Sequence, residues 1–220
     1  MLPQATLRAA NVALRMLASG SRFALVILLA RLMEPAQIGL YGLFTATVGF
    51  SMLAIGGDYY TYSQRELIAV PRERWGFVLQ HQALATGFLY LALLPPQLLI
   101  FGFDLLPMSL ALWFFVLLVV EHVAQEINRL LVAMQRPLVA SWVLFLRMGA
   151  WVWAVLPIMW LDPAARNLSA LFLAWLIGGM VAIAVGLQVI WRAVRPWQAF
   201  SVDWPWLLRG FKVGLLFLSR

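Results

Sequence analysis

Six predominantly apolar stretches, each roughly twenty residues or longer, recur along the chain at about 12–32, 39–57, 77–101, 108–134, 139–161 and 168–190. A helix rises about 1.5 Å per residue, so roughly 20 apolar residues match the ~30 Å hydrocarbon core of a bilayer. A helix also satisfies its own backbone donors and acceptors, which that medium demands. The breaks between the stretches carry residues that stop helices: MEPAQ (33–37), GFDLLP (102–107), QRP (135–137) and DPAARN (162–167), with a longer polar stretch from Asp58 to Trp75. The expectation is an all-α integral membrane protein with six transmembrane helices and the start of a seventh.

Composition agrees. Hydrophobic residues make up 64% of the chain and charged residues 11%, against about 25% charged in soluble domains. Such a chain cannot cover itself with a water-facing surface. It contains no cysteine, which excludes a disulfide framework, a thiolate metal site and a cysteine nucleophile. The net charge is +7, and fifteen of the sixteen basic residues are arginine. In a membrane protein this excess reads as anchoring of the cytoplasmic side, and no nucleic-acid partner is expected.

Basic residues precede the first apolar run, as in a secretory leader, but LARLMEPAQ (29–37) offers no small-x-small cleavage site. A retained first span is expected. Residues 1–191 then form a six-helix transmembrane lobe. The tryptophan-rich segment 192–206 is an interfacial linker on the cytoplasmic side, and 207–220 begin a seventh helix too short to cross. Arg8, Arg15, Arg65, Arg72, Arg74, Arg129, Arg136, Arg192 and Arg195 fall on one side, and only Arg31 and Arg166 on the other. This places the N-terminus in the cytoplasm.

The fourth stretch changes character halfway. Sixteen uncharged residues, LLPMSLALWFFVLLVV (105–120), run straight into Glu121, His122, Gln125, Glu126, Asn128 and Arg129. At 100° per residue these six cover about 160° of one helix. Either the acids pair with neighbouring arginines while Asn128 and Arg129 sit at the interface, or all six line a water-filled cavity open to the cytoplasm. The cavity accounts for all six at once and is preferred. In the first span Arg8, Arg15 and Arg22 recur every seven residues, with Asn11 and Ser19 on the same stripe. Arg8 and Arg15 are near enough to the end to reach headgroups, whereas Arg22 lies two turns deeper. Arg147 stands ten residues in from Pro137, roughly 15 Å deep and close to the midplane. It either lines the cavity or pairs with Glu121 or Glu126, and the two are compatible. The substrate-cavity candidates are Arg15, Arg22, Glu121, Gln125, Glu126, Asn128 and Arg147. Guanidinium forks around a membrane cavity suit phosphate oxygens, so a pyrophosphate-linked lipid fits this chemistry.

Gly39, Gly42, Ala46 and Gly49 form a small-residue face on the second span, as do Gly178, Gly179 and Gly186 on the sixth. Close helix packing is expected at both. Pro95-Pro96 should kink the third span. His81 and His122 stand alone without ligand spacing, and there is no glycine-rich phosphate loop. Neither a metal, a cofactor nor an ATPase on this chain is expected.

The stretch LLARLMEPAQIGLYGLFTATVGFSMLAIGGDYYTYSQREL (28–67) resembles the start of polysaccharide-export flippases. These belong to the superfamily that also holds multidrug extruders and lipid II flippases. The similar elements are Leu29-Ala30-Arg31, the Glu34-Pro35 turn, Ile38-Gly39-Leu40-Tyr41, Gly56-Gly57 and Arg65-Glu66. LLVAMQRPLVASWVLFLRMGAWV (130–152) is similar to the fourth-to-fifth helix passage of the family, including the arginine at 147. The resemblance implies one six-helix lobe of a two-lobe transporter that turns a lipid-linked oligosaccharide over in the bacterial inner membrane by alternating access. It also implies arginines in the cavity, with Arg22 and Arg147 as the matching positions. Members have about twelve or more helices, so a second lobe or a homodimer partner is implied besides membrane lipids.

Three other classes fit the residues less well. A membrane sugar-transfer enzyme needs catalytic carboxylates in an outward loop, where only Glu34, Asp104 and Asp162 stand, singly; the chain is read as not an enzyme. A non-transporting scaffold of an export complex has no reason to carry intramembrane arginines. A drug or cation antiporter of the same superfamily would place acids and aromatics in its cavity rather than several arginines.

Overall fold

The computed structural model describes residues 4–56, 59–195, 197, 199 and 201–218, with the side chains of residue 4 and of 215–218 excluded. Gly57, Asp58 and part of the 192–206 segment lie outside these residues. Ten helices follow one another among the described residues: α1 (Gln4–Leu32), α2 (Pro35–Gly56), α3 (Tyr59–Ala69), α4 (Trp75–Leu93), α5 (Leu99–Gly102), α6 (Ala111–Ala133), α7 (Pro137–Phe145), α8 (Trp151–Leu161), α9 (Leu168–Val194) and α10 (Trp204–Leu218). Six helical segments are long and apolar enough to cross a membrane: Ala5–Leu32, Pro35–Gly56, Arg72–Gly102, Met108–Ala133, Pro137–Leu161 and Leu168–Val194. The protein is an all-α multi-pass membrane protein.

The turns follow from local chemistry. Asp104 and Gln135 adopt left-handed backbone, with φ of 54° and 58°. Each closes a helix by a six-to-one bond, from Leu105 N to Ile100 O at 3.0 Å and from Arg136 N to Leu131 O at 2.9 Å. Asn167 opens α9 as an N-cap, its side chain accepting from Ala170 N at 2.9 Å. Pro95 and Pro96 end α4 and turn the chain through a 3-10 segment, Pro95–Leu98, into α5. Proline supplies no N–H and crowds the preceding turn, which explains the break. The fifth span holds a five-residue π-helical segment, Leu146–Ala150, between α7 and α8.

α6 and α9 pack along one another at the centre; the fifth span joins them on one side and α2 on the other, and α1 lies outside the fifth span. The small-residue face of α9 makes this approach possible. A Cβ on Gly178 would stand 2.6 Å from the Trp151 ring, and one on Gly179 2.5 Å from Val120. Gly186 faces Ile127 in the same way. The face of α2 behaves differently. Gly39, Gly42 and Gly49 have nothing within 4 Å of a would-be Cβ, so within the described bundle no helix packs there, contrary to the expectation of close packing.

The buried apolar residues fall into two clusters. One gathers Phe44, Phe114, Phe172 and Trp175 toward the end with the short loops at Arg31 and Arg166. Phe44 and Phe172 stack there at 4.3 Å between ring centroids. The other gathers Leu67, Val78, Leu131 and Trp206 toward the end that carries α3 and α10. On α6 the first cluster ends at Leu118 and the second begins at Ile127. Glu121 and His122, both buried, lie between them.

Candidate functional site

Arg147 and Glu121 meet in this polar layer. Arg147 Nε lies 3.5 Å from Glu121 Oε2, with both side chains buried. The π-helical turn, one residue wider than an α-turn, carries Arg147. Gly149 in the same turn lets α1 come close, since a Cβ there would stand 2.9 Å from Ser21 Oγ. The Trp175 indole donates to Glu121 Oε1 at 2.5 Å. Arg22 of α1 lies over the Trp175 ring, its guanidinium carbon 5.4 Å from the centroid. Trp151 stacks on the other indole at 6.3 Å and 11°, and its own Nε1 donates to Arg147 O at 2.9 Å. One carboxylate and two guanidinium groups therefore gather around the Trp175 indole, with Glu121 paired to Arg147 and Arg22 over the ring.

Arg22 Nε and Arg147 Nε and Nη1 are buried and make no hydrogen bond among the described residues. A buried donor without a partner costs roughly 1–3 kcal/mol, more when charged, so an acceptor that reaches these atoms removes that cost.

The other candidates are distributed around α6. Gln125 lines a cleft of about 220 Å³ with Arg129 and Tyr60, against Gly49, Met52 and Gly56 of α2. Arg129 pairs with Glu126 at 2.6 Å, and its guanidinium carbon lies 3.7 Å from the Tyr60 ring centroid. Glu126 also accepts from Gln82 Nε2 at 2.8 Å. Asn128 faces α7, donating to Ala140 O at 2.5 Å. Arg15 is exposed on α1, and its Nε donates to Ser141 Oγ at 3.2 Å. Ser141 in turn donates to Asn11 Oδ1.

The six polar residues of α6 thus follow the arc of the helix past successive neighbours rather than lining one cavity. Asn128 and Glu121 face the fifth and sixth spans, Gln125 the α2 cleft, Arg129 Tyr60 of α3, and His122 and Glu126 the α4 side. The acids do pair with arginines, Glu121 with Arg147 and Glu126 with Arg129. The structure brings Arg22, Glu121 and Arg147 together and leaves Arg15 and Asn128 in helix-to-helix ties. Sequence reasoning missed Trp175, which orients Glu121, and Ser21, which accepts from Trp153 Nε1 at 2.8 Å. A small polar residue deep in an apolar run was the available signal for Ser21. Both histidines have structural partners: His122 Nδ1 lies 2.8 Å from the Tyr90 hydroxyl, and His81 Nε2 accepts from Asp203 N at 2.9 Å.

No family model matches the chain, and no curated protein or solved structure is significantly similar to it.

Proposed function

We propose that the chain is one lobe of a flippase that moves a pyrophosphate-linked oligosaccharide lipid across the bacterial inner membrane, with its N-terminus in the cytoplasm. One observation carries this reading: Arg22 and Arg147 stand at the level between the two apolar clusters, both with buried donors that make no hydrogen bond among the described residues, and Glu121 is the one carboxylate there that pairs with Arg147. Phosphate oxygens accept charge-assisted, bidentate hydrogen bonds from guanidinium forks. Glu121 serves as the resting counter-ion of Arg147 until a pyrophosphate arrives. Trp175 holds that carboxylate in place from the other side.

Gln125 stands one helical turn from Glu121 and lines the α2 cleft, which gives a polar step between the α3 end of the bundle and the cluster. The opposing wall and the alternation of access come from a second lobe or a second copy of the chain, and the open glycine face of α2 leaves room for a helix there. The arginine bias in the short loops supports the orientation.

The test is export in cells. Loss of the gene should leave lipid-linked glycan on the face where it is made. Arg147→Lys keeps the charge opposite Glu121 and removes the fork, so a protein present at normal level with lost export supports the proposal. Normal export by that variant removes its basis.

A further inference from the structure

A second cleft, of about 410 Å³, opens where α3, α4 and α10 meet, at the opposite end of the bundle from the Phe44 cluster. Its charges come from Glu66, Arg74 and Asp203, and Phe77 and Trp206 form an aromatic wall. Val70 and Val78 complete it on the apolar side. Among the described residues Arg74 forms an ion pair with neither carboxylate. Charges of both signs therefore line one cleft without pairing, beside two aromatic rings.

The cleft is held by fixed parts. Asp203 caps α10, accepting from Trp206 N at 3.0 Å. Its own N–H is fastened to α4 through His81 Nε2 at 2.9 Å. The other ring nitrogen, Nδ1, lies 2.8 Å from Phe77 O; since Nε2 accepts, Nδ1 carries the proton and donates. Trp206 is 8% exposed, with its ring 4.9 Å from Tyr62, 5.3 Å from His81 and 5.9 Å from Phe77. The third membrane span begins at Arg72, so the cleft stands at the boundary of the bilayer, at headgroup level.

We propose that this cleft binds the headgroup of a zwitterionic aminophospholipid, with the primary ammonium between Glu66 and Asp203 against the Trp206 ring and the phosphate on Arg74. A primary ammonium donates three hydrogen bonds to carboxylates and is attracted to an aromatic face. A choline group donates none, and a glycerol headgroup has no cation for Glu66 and Asp203. Selectivity therefore runs in favour of ethanolamine. The site is separate from the Arg22–Arg147 cluster and does not depend on its function.

The experiment is native mass spectrometry of the full chain in detergent, titrated separately with phosphatidylethanolamine, phosphatidylcholine and phosphatidylglycerol of equal chain length. The expected result is preferred binding of phosphatidylethanolamine by roughly tenfold, the worth of one charged hydrogen bond. Glu66→Gln should lower that binding to the phosphatidylcholine level, Arg74→Ala should weaken all three lipids alike because each carries the phosphate, both with an unchanged melting temperature, and Glu66→Asp should keep the preference. Soluble glycerophosphoethanolamine should compete only weakly. Equal or stronger phosphatidylglycerol binding overturns the proposal, as does a preference that survives Glu66→Gln. Full displacement by the soluble headgroup at equal concentration overturns the lipid as the ligand.

Discussion

Arg147 Nε stands 3.5 Å from Glu121 Oε2 without a hydrogen bond between them, while the opposite oxygen of Glu121 is held at 2.5 Å by the Trp175 indole. The carboxylate is oriented by the sixth span and only paired electrostatically with the fifth. The guanidinium retains buried donors that make no hydrogen bond among the described residues.

The pair should respond asymmetrically to substitution. Glu121→Ala strands Arg147 without its counter-ion and should cost about 3–5 kcal/mol. Glu121→Gln combined with Arg147→Met should cost much less than that, because no buried acid or base of the pair remains unmatched. Denaturant unfolding in detergent micelles gives both values. A double variant as unstable as the sum of the singles would contradict the arrangement.

Trp175→Phe keeps the aromatic volume and removes the indole donor. The expected loss is about 1.5–3 kcal/mol, the range for a hydrogen bond to a charged group. The same measurement on Trp153→Phe, whose indole meets the neutral Ser21 hydroxyl at 2.8 Å, should give about 1 kcal/mol or less.

Two glycine faces that look alike in sequence should behave differently. Gly186→Ala and Gly178→Ala press a methyl group into Ile127 and Trp151, and should lower stability by about 1–3 kcal/mol. Gly42→Ala meets nothing within 4 Å and should be neutral or stabilising by up to about 1 kcal/mol, from helix propensity alone. Melting temperatures of the purified variants decide between these outcomes.

These contrasts mark where sequence reasoning reached and where it stopped. The spans were legible because a bilayer sets their length, and the turns because Asp104, Gln135, Pro95 and Asn167 act locally. The pairing of Arg147 with an acid on α6 was legible as one of two compatible readings, since a midplane cation needs a counter-ion. The single cavity was not. Helix arithmetic gives the angle of each residue on α6, and the neighbour at that angle is a property of the whole bundle. Glu121 and Asn128 share a stripe, yet one meets Trp175 and the other Ala140 O. The π-helical turn at Leu146–Ala150 was invisible because no residue in LRMGA marks it. Trp175 was hidden among eleven tryptophans, of which those in the 192–206 segment read as interfacial. The open face of α2 and the filled face of α9 differ only in what packs against them, which periodicity cannot supply.

The central claim is that Arg22 and Arg147 hold a pyrophosphate. The most direct measurement is calorimetric titration of the purified chain with a long-chain polyprenyl pyrophosphate and with the matching monophosphate. The account predicts tighter binding of the pyrophosphate, and a loss of roughly tenfold in Arg147→Lys at unchanged melting temperature, because the lysine keeps the charge and gives up the fork. Equal affinity for the two lipids, or wild-type affinity in Arg147→Lys, would contradict it.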